Sequence, residues 1–206
     1  MLKVYGRSNS VNVQKVMWLV GELGLVHERI DAGLAFGVND QDWYLAMNPM
    51  GRVPVLDDGG YVLWESHGII RYLARQYGGG DWYPAEPKAC GDVDKWMDWQ
   101  LGFLTPAITP AFWNLIRTAA ADRDMAAVQA SSTETARLYG IVDAHLRGRD
   151  FMAGDQLTIA DIPVGAMTYR WYNLEVEHPD YPNLAAWYER LAERPAFQQH
   201  VMLPIT

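Results

Sequence analysis

Residues 53–70 read VPVLDDGGYVLWESHGII, and this stretch decides the architecture. Val53 to Leu56 is a short β-rich run with a proline inside it. Asp58-Gly59-Gly60 is a hairpin turn signal, because glycine reaches the positive φ that tight loops require. Tyr61 to Trp64 is the returning strand. Glu65-Ser66 then opens a helix marked by Ile69, Ile70, Leu73 and Tyr77 at helical spacing, and Gly78-Gly79-Gly80 stops it.

Upstream, Leu2 to Tyr5 reads as a strand. Val13, Val16, Met17, Val20 and Leu23 recur at helical spacing before Gly24. Val26 to Ile30 reads as a second strand, residues 33–42 as a loop, and Trp43 to Met47 as a short helix before Asn48-Pro49. The order β-α-β-(α)-β-β-α predicts a small mixed sheet with helices on it. Downstream no strand pair follows. Residues 79–87, GGDWYPAEP, have no period and read as a linker. Lys88 to Thr118 is helical, bent or split by Pro106 and Pro110. Arg123 to Leu146, Thr158 to Tyr172, Leu184 to Ala192 and a piece from Pro195 are further helices. The predicted fold class is α/β plus all-α: residues 1–78 form the α/β domain, 79–87 the linker and 88–206 the all-helical domain.

The chain has 206 residues, half of them apolar and a fifth charged, enough to bury a core. The net charge of −8 opposes binding to nucleic acid or an anionic membrane, so neither is an expected partner. A lone cysteine, Cys90, excludes an internal disulfide and a cysteine-rich zinc site, and the five scattered histidines offer no zinc spacing. No metal is expected. MLKVYGRSNS lacks a signal-peptide apolar run, and no stretch reaches the roughly 18 apolar residues of a membrane span. The expectation is a soluble, cytoplasmic protein.

Three segments offer chemistry. A proline within a strand cannot donate to the ladder, so Val53-Pro54 marks an edge or bulge with a trans bond, or a cis peptide turning Val53 toward a ligand. In the second case the Val53 N–H and C=O could pair with a peptide-like ligand as an added strand. Glu65-Ser66 supplies an ordinary helix start, but also an anion site for a carboxylate beside an acid for an ammonium. Ser8-Asn9-Ser10-Val11-Asn12 lies between strand and helix. Its hydroxyls and amides serve as caps, or sit at the positive end of the helix dipole. There they could stabilise a thiolate, lowering a thiol pKa from about 8.5 toward neutral.

These segments appear in order with Asn48-Pro49-Met50-Gly51-Arg52-Val53-Pro54-Val55-Leu56, with Ala153-Gly154-Asp155-Gln156-Leu157-Thr158-Ile159-Ala160-Asp161-Ile162-Pro163, and with Trp187-Tyr188-Glu189-Arg190 before Arg194-Pro195-Ala196-Phe197. Across nearly its whole length the chain resembles the glutathione S-transferase family, in particular its bacterial, serine-type, theta/phi-like members. The resemblance implies a thioredoxin-like N-terminal domain and an all-helical C-terminal one, a homodimer, and glutathione as co-substrate. It places the catalytic hydroxyl at Ser10, with Asn12 sharing the role where the family uses threonine and asparagine. Ser8 and Asn9 stay open as rivals. It matches Pro54 to the family's cis-proline, with Val53 pairing to the cysteinyl backbone, and it matches Glu65 and Ser66 to the γ-glutamyl site. Arg52 sits where the family contacts the tripeptide with Gln or Lys.

The family's basic residue seven or eight positions before Asn-Pro is replaced by Asp40 and Gln41, leaving Arg52 or His67 as candidates for the glycyl carboxylate. No cysteine lies near the first helix, which argues against the family's cysteine-dependent reductions. Phe112, Trp113 and Arg117 could present one helix face to an acceptor pocket. Trp96, Trp99 and Phe103 read as core or interface. Thr158 with Asp161 reads as a capping box, stapled by Leu157 and Ile162. The function expected from the resemblance is conjugation of the glutathione thiolate to a small hydrophobic electrophile. The alternatives are glutathione-dependent disulfide or peroxide reduction, and a non-catalytic glutathione-binding module.

Overall fold

The computed structural model describes residues 1–206, which divide into two compact units. The first comprises Met1–Tyr83 and Pro195–Leu203, and the second Pro84–Arg194 and Pro204–Thr206.

The first unit holds a four-stranded sheet in the order β2-β1-β3-β4. β1 (Leu2–Tyr5) pairs in parallel with β2 (His27–Ile30) and antiparallel with β3 (Val55–Asp58), which pairs antiparallel with β4 (Tyr61–Trp64). The parallel pair needs a crossover, supplied by α1 (Val11–Glu22). Val13, Val16, Met17 and Val20 are buried at the predicted spacing, and Gly24 ends the helix at φ 61°. β3 begins at Val55 rather than Val53, because Pro54 has no N–H for the ladder. Gly59 and Gly60, both at positive φ, form the hairpin loop. α2 (Asp42–Met47) precedes Asn48-Pro49, and α3 (Ser66–Tyr77) follows β4. The glycines at 79–80 open a one-turn helix, α4 (Gly79–Trp82), inside the segment read as aperiodic.

The second unit is helical. The chain stays helical from Pro87 to Arg117 as α5 (Pro87–Trp99), a π-turn over Gln100–Leu104, α6 (Thr105–Phe112) and a second π-turn over Trp113–Arg117. The two prolines are thus absorbed without a break: Pro106 lies in the first turn of α6, and wide turns flank the helix that contains Pro110. α7 (Met125–Leu146) starts at Asp124, whose side chain accepts from Ala127 N at 3.0 Å. α8 (Asp161–Tyr172) and α9 (Pro182–Ala192) complete the core, where Val128, Leu138, Val142, Ile162, Val164, Met167, Leu184, Trp187 and Leu191 are buried.

α8 starts three residues later than its predicted Thr158. Half of the predicted capping box is present: Thr158 N donates to Asp161 Oδ2 at 3.0 Å, whereas the Thr158 hydroxyl accepts from Ala160 N at 3.3 Å and Asp161 N donates to the Thr158 backbone carbonyl at 3.1 Å. The Asp161 carboxylate also accepts from Met152 N at 2.8 Å, Trp187 Nε1 at 2.9 Å and Thr158 Oγ1 at 3.3 Å. Burial pushes its pKa up to about 6, against hydrogen bonds that favour the ionised form.

α10 (Pro195–His200), grouped on sequence with the helical half, packs on α1 in the first unit. Phe197 meets Trp18 edge to face at 4.7 Å, and both are fully buried.

Candidate functional site

Sheet register brings three segments to one end of the first unit. Tyr5 lies opposite Val55, and Val55 opposite Trp64. The end of β1, the start of β3 and the end of β4 therefore form one row. Leaving it are residues 6–10, 52–54 and 65–66, which carry Ser8, Asn9, Ser10, Arg52, Val53, Pro54, Glu65 and Ser66. Asn12 follows in the first turn of α1.

Gly6 makes the first segment possible: a Cβ there would stand 2.4 Å from Val13 Cγ2, so only glycine lets the chain turn so tightly into α1. Ser10 occupies the N-cap position and is buried, yet its side chain makes no capping hydrogen bond. The simple capping role is thus not what holds this serine. Ser8 is exposed and Asn9 half-buried.

Asn12 is exposed, and its Oδ1 accepts from Lys15 Nζ at 3.1 Å. Lys15 is fully buried, and its Nζ also lies 3.2 Å from His67 Nε2. With Lys15 an ammonium, which only donates, that ring nitrogen is the acceptor. In the fold Lys15 ties α1 to α3 from behind Asn12. His67 is accordingly committed inward, which removes it as a candidate for the glycyl carboxylate.

The second segment is cinched by polar contacts that explain Asn48-Pro49-Met50-Gly51-Arg52. Asn48 Nδ2 and Tyr44 Oη both donate to the Arg52 carbonyl at 2.8 Å, and Met50 N donates to Asn48 Oδ1 at 3.0 Å. Burial pushes the Tyr44 phenol up to about 12, so it remains a donor. Gly51 has φ 59°, and a Cβ there would lie 2.9 Å from Asn39 O. The Val53–Pro54 peptide is cis. The ladder begins only at Val55, leaving the Val53 backbone outside the sheet. The Arg52 side chain is exposed. Of the positions where the family's basic residue would stand, Asp40 and Gln41 are both exposed, and Gln41 Oε1 accepts from Trp43 Nε1 at 2.6 Å.

At the third segment Glu65 has φ 70°. A non-glycine residue holds this left-handed conformation at a cost of order 1–3 kcal/mol, and such outliers gather where a ligand is clamped. Glu65 makes no capping bond and its side chain is exposed. Ser66 is buried as the first residue of α3, among the unpaired N–H groups of a helix start.

The acceptor-side candidates lie in the second unit. Phe112 is buried at the end of α6, while Trp113 and Arg117 sit on the π-turn that follows. The Arg117 guanidinium carbon stands 5.7 Å from the Phe112 ring centroid, and that of Arg170, from α8, stands 3.9 Å from the same centroid. Arg170 has no signal in the sequence, because nothing in local spacing relates it to Phe112, 58 positions earlier.

Known proteins carry the same plan. The family model described as the glutathione S-transferase N-terminal domain matches residues 1–75, and the C-terminal domain model matches residues 95–195. Glutathione S-transferase GstB of Escherichia coli is 39% identical over the full length of both chains. Glutathione S-transferase 3 of Zea mays is 34% identical, covering 97% of this chain and 93% of the relative. A theta class glutathione S-transferase from Xanthomonas axonopodis pv. citri, solved with glutathione bound, superposes with a TM-score of 0.96 at 41% identity. It covers 100% of this chain and 99% of its own. With two family domains matched in order and full-length relatives above a third identity, the chain belongs to the glutathione S-transferase family and is an enzyme of that class.

Proposed function

We propose that the enzyme joins the glutathione thiolate to a small hydrophobic electrophile in the cytoplasm, in a detoxifying role, with residues 1–78 binding glutathione, 79–87 as the linker and 88–206 receiving the electrophile. The observation that carries this reading is the row Tyr5–Val55–Trp64, from which the three glutathione-side segments leave together. The Xanthomonas relative's bound glutathione supports it. Glu65 takes the γ-glutamyl ammonium, Ser66 and the start of α3 take the α-carboxylate, and the Val53 backbone pairs with the cysteinyl unit. Arg52 takes the glycyl carboxylate. Ser10 donates its hydroxyl to the sulfur, with Asn12 beside it, and the thiol loses its proton to solvent. The thiolate then attacks the electrophilic carbon, and the leaving group departs with its electron pair. Phe112, Trp113 and Arg117 face the electrophile. No metal takes part.

Isothermal titration of glutathione tests the first step. Glu65→Ala is expected to weaken binding about tenfold or more, since a charge-assisted contact contributes about 1.5–3 kcal/mol. No measurable heat at millimolar glutathione with the wild type overturns the reading.

The enzyme also acts as a homodimer in this proposal, the first unit of one chain meeting the first helices of the second unit of its partner. Large apolar side chains lie uncovered on both: Tyr61, Val62, Trp64 and Tyr77 on the first, and Leu101 and Phe103, 49% and 60% exposed, on the second. Val93, Trp96, Met97 and Leu104 form the inward stripe of the same helix. Sedimentation velocity at micromolar concentration is expected to give a species near twice 23.3 kDa, and a single species near 23.3 kDa refutes the dimer.

A further inference from the structure

Lys15 is fully buried, and its nitrogen meets the starts of two helices. Nζ donates to Asn12 Oδ1 at 3.1 Å in the first turn of α1, and lies 3.2 Å from His67 Nε2 in the first turn of α3. Ser10 stands at the N-cap of the one helix and Ser66 opens the other, so this link runs behind two of the groups assigned to glutathione. Taking a lysine out of water is costly, and well-packed apolar residues often replace buried polar pairs without loss of stability. Stability alone gives little reason for a lysine here. The bond to Asn12 does something more specific. An amide has an oxygen end and a nitrogen end, and a lysine that donates picks out the oxygen. That leaves Asn12 Nδ2, with two hydrogens and no bond to the rest of the chain, on the side of the amide turned from Lys15. Asn12 is exposed, and helical side chains lean toward the N-terminus of their helix, which brings this amide over the turn that holds Ser10.

Resting on the transferase reading above, we infer that Lys15 is a positioning residue for thiolate activation: it fixes the Asn12 amide with its oxygen inward, and so holds Nδ2 as a second hydrogen-bond donor to the glutathione sulfur, beside the Ser10 hydroxyl. Asn12 touches the sulfur, and Lys15 acts through Asn12. An N–H donor favours the thiolate over the thiol, because the charged sulfur is the better acceptor. A donor fixed before the sulfur arrives loses little rotamer freedom when it binds. The thiol proton passes to solvent, and neither Lys15 nor Asn12 takes it.

The test is a double-mutant cycle on the thiol pKa of bound glutathione, read by thiolate absorbance at saturating glutathione. Asn12→Ala changes an exposed side chain and is expected to raise that pKa by about 1 unit, an approximately tenfold loss in ionisation. Lys15→Met keeps the buried stem and removes the donor. It is expected to raise the pKa by a similar amount on its own, and to raise it no further in the Asn12→Ala background. A charge acting through space, or a general loosening of the helix starts, would add to the Asn12→Ala shift, and that result overturns the inference. So does an Asn12→Ala pKa that stays put while Ser10→Ala raises it, which leaves the transferase reading standing. Where Lys15→Met does not fold, the wild type decides. The side-chain amide NMR signal of Asn12, identified by its loss in Asn12→Ala, is expected to be rigid before glutathione is added and to shift afterwards. A signal as mobile as that of a free surface amide, or one that bound glutathione does not move, overturns the inference. A wild type that binds no glutathione overturns it together with the transferase reading.

Discussion

Asp161→Ala is expected to destabilise the protein by on the order of 4–6 kcal/mol, the largest effect of any single substitution considered. The carboxylate is wholly buried and accepts four hydrogen bonds, from Met152 N, Thr158 N, Thr158 Oγ1 and Trp187 Nε1. Alanine leaves those donors buried and unpaired, at about 1–3 kcal/mol each before relaxation. Domains are stable by only about 5–15 kcal/mol, so most of the reserve goes. Urea unfolding at pH 7 measures it, and a loss below about 1 kcal/mol overturns the account. Asp161→Asn should fall between, because one oxygen still accepts while the amide nitrogen meets donors head-on. The pH dependence has a definite sign. A folded-state pKa of about 6 lies above the ordinary value, so wild-type stability from this group is full below about pH 4 and is lost as pH rises through 6. The gap between wild type and Asp161→Ala therefore narrows over that interval.

The second large effect falls on chemistry rather than folding. Ser10→Ala is expected to raise the thiol pKa of bound glutathione by about 1–2 units, matching a lost charge-assisted hydrogen bond of about 1.5–3 kcal/mol. Because the Ser10 side chain makes no capping bond, its removal should cost little stability and little glutathione affinity. Thiolate absorbance near 240 nm, followed against pH in the binary complex, reads the shift. An unchanged pKa overturns the assignment and moves the sulfur contact to Ser8, Asn9 or Asn12. Of these, Asn12 has its Oδ1 already held by Lys15.

Much of this was legible in the sequence because it is local. The β1-α1-β2 order follows from Val13, Val16, Met17 and Val20, whose spacing needs no distant partner to interpret. The hairpin follows from Gly59-Gly60, where backbone chemistry decides. What stayed hidden was set by tertiary contacts. The start of α8 depends on a carboxylate recruited by Met152 and by Trp187, 26 residues away. The inward turn of His67 depends on Lys15, 52 residues before it. Arg170 reaches Phe112 only because α6 and α8 belong to one packed unit. The π-turns around α6 were illegible for another reason: proline forbids a bond but does not say whether the chain breaks or widens to do without it.

The packing of α10 on α1 has a consequence for biosynthesis. Phe197 is made 179 residues after Trp18, yet each covers the other. At about 5–20 residues per second, the ribosome separates them by on the order of ten seconds. Through that interval the nascent first unit presents an uncovered tryptophan, so its completion waits on the synthesis of the whole second unit, and a truncated transcript yields a first half with its apolar face open to chaperones and proteases.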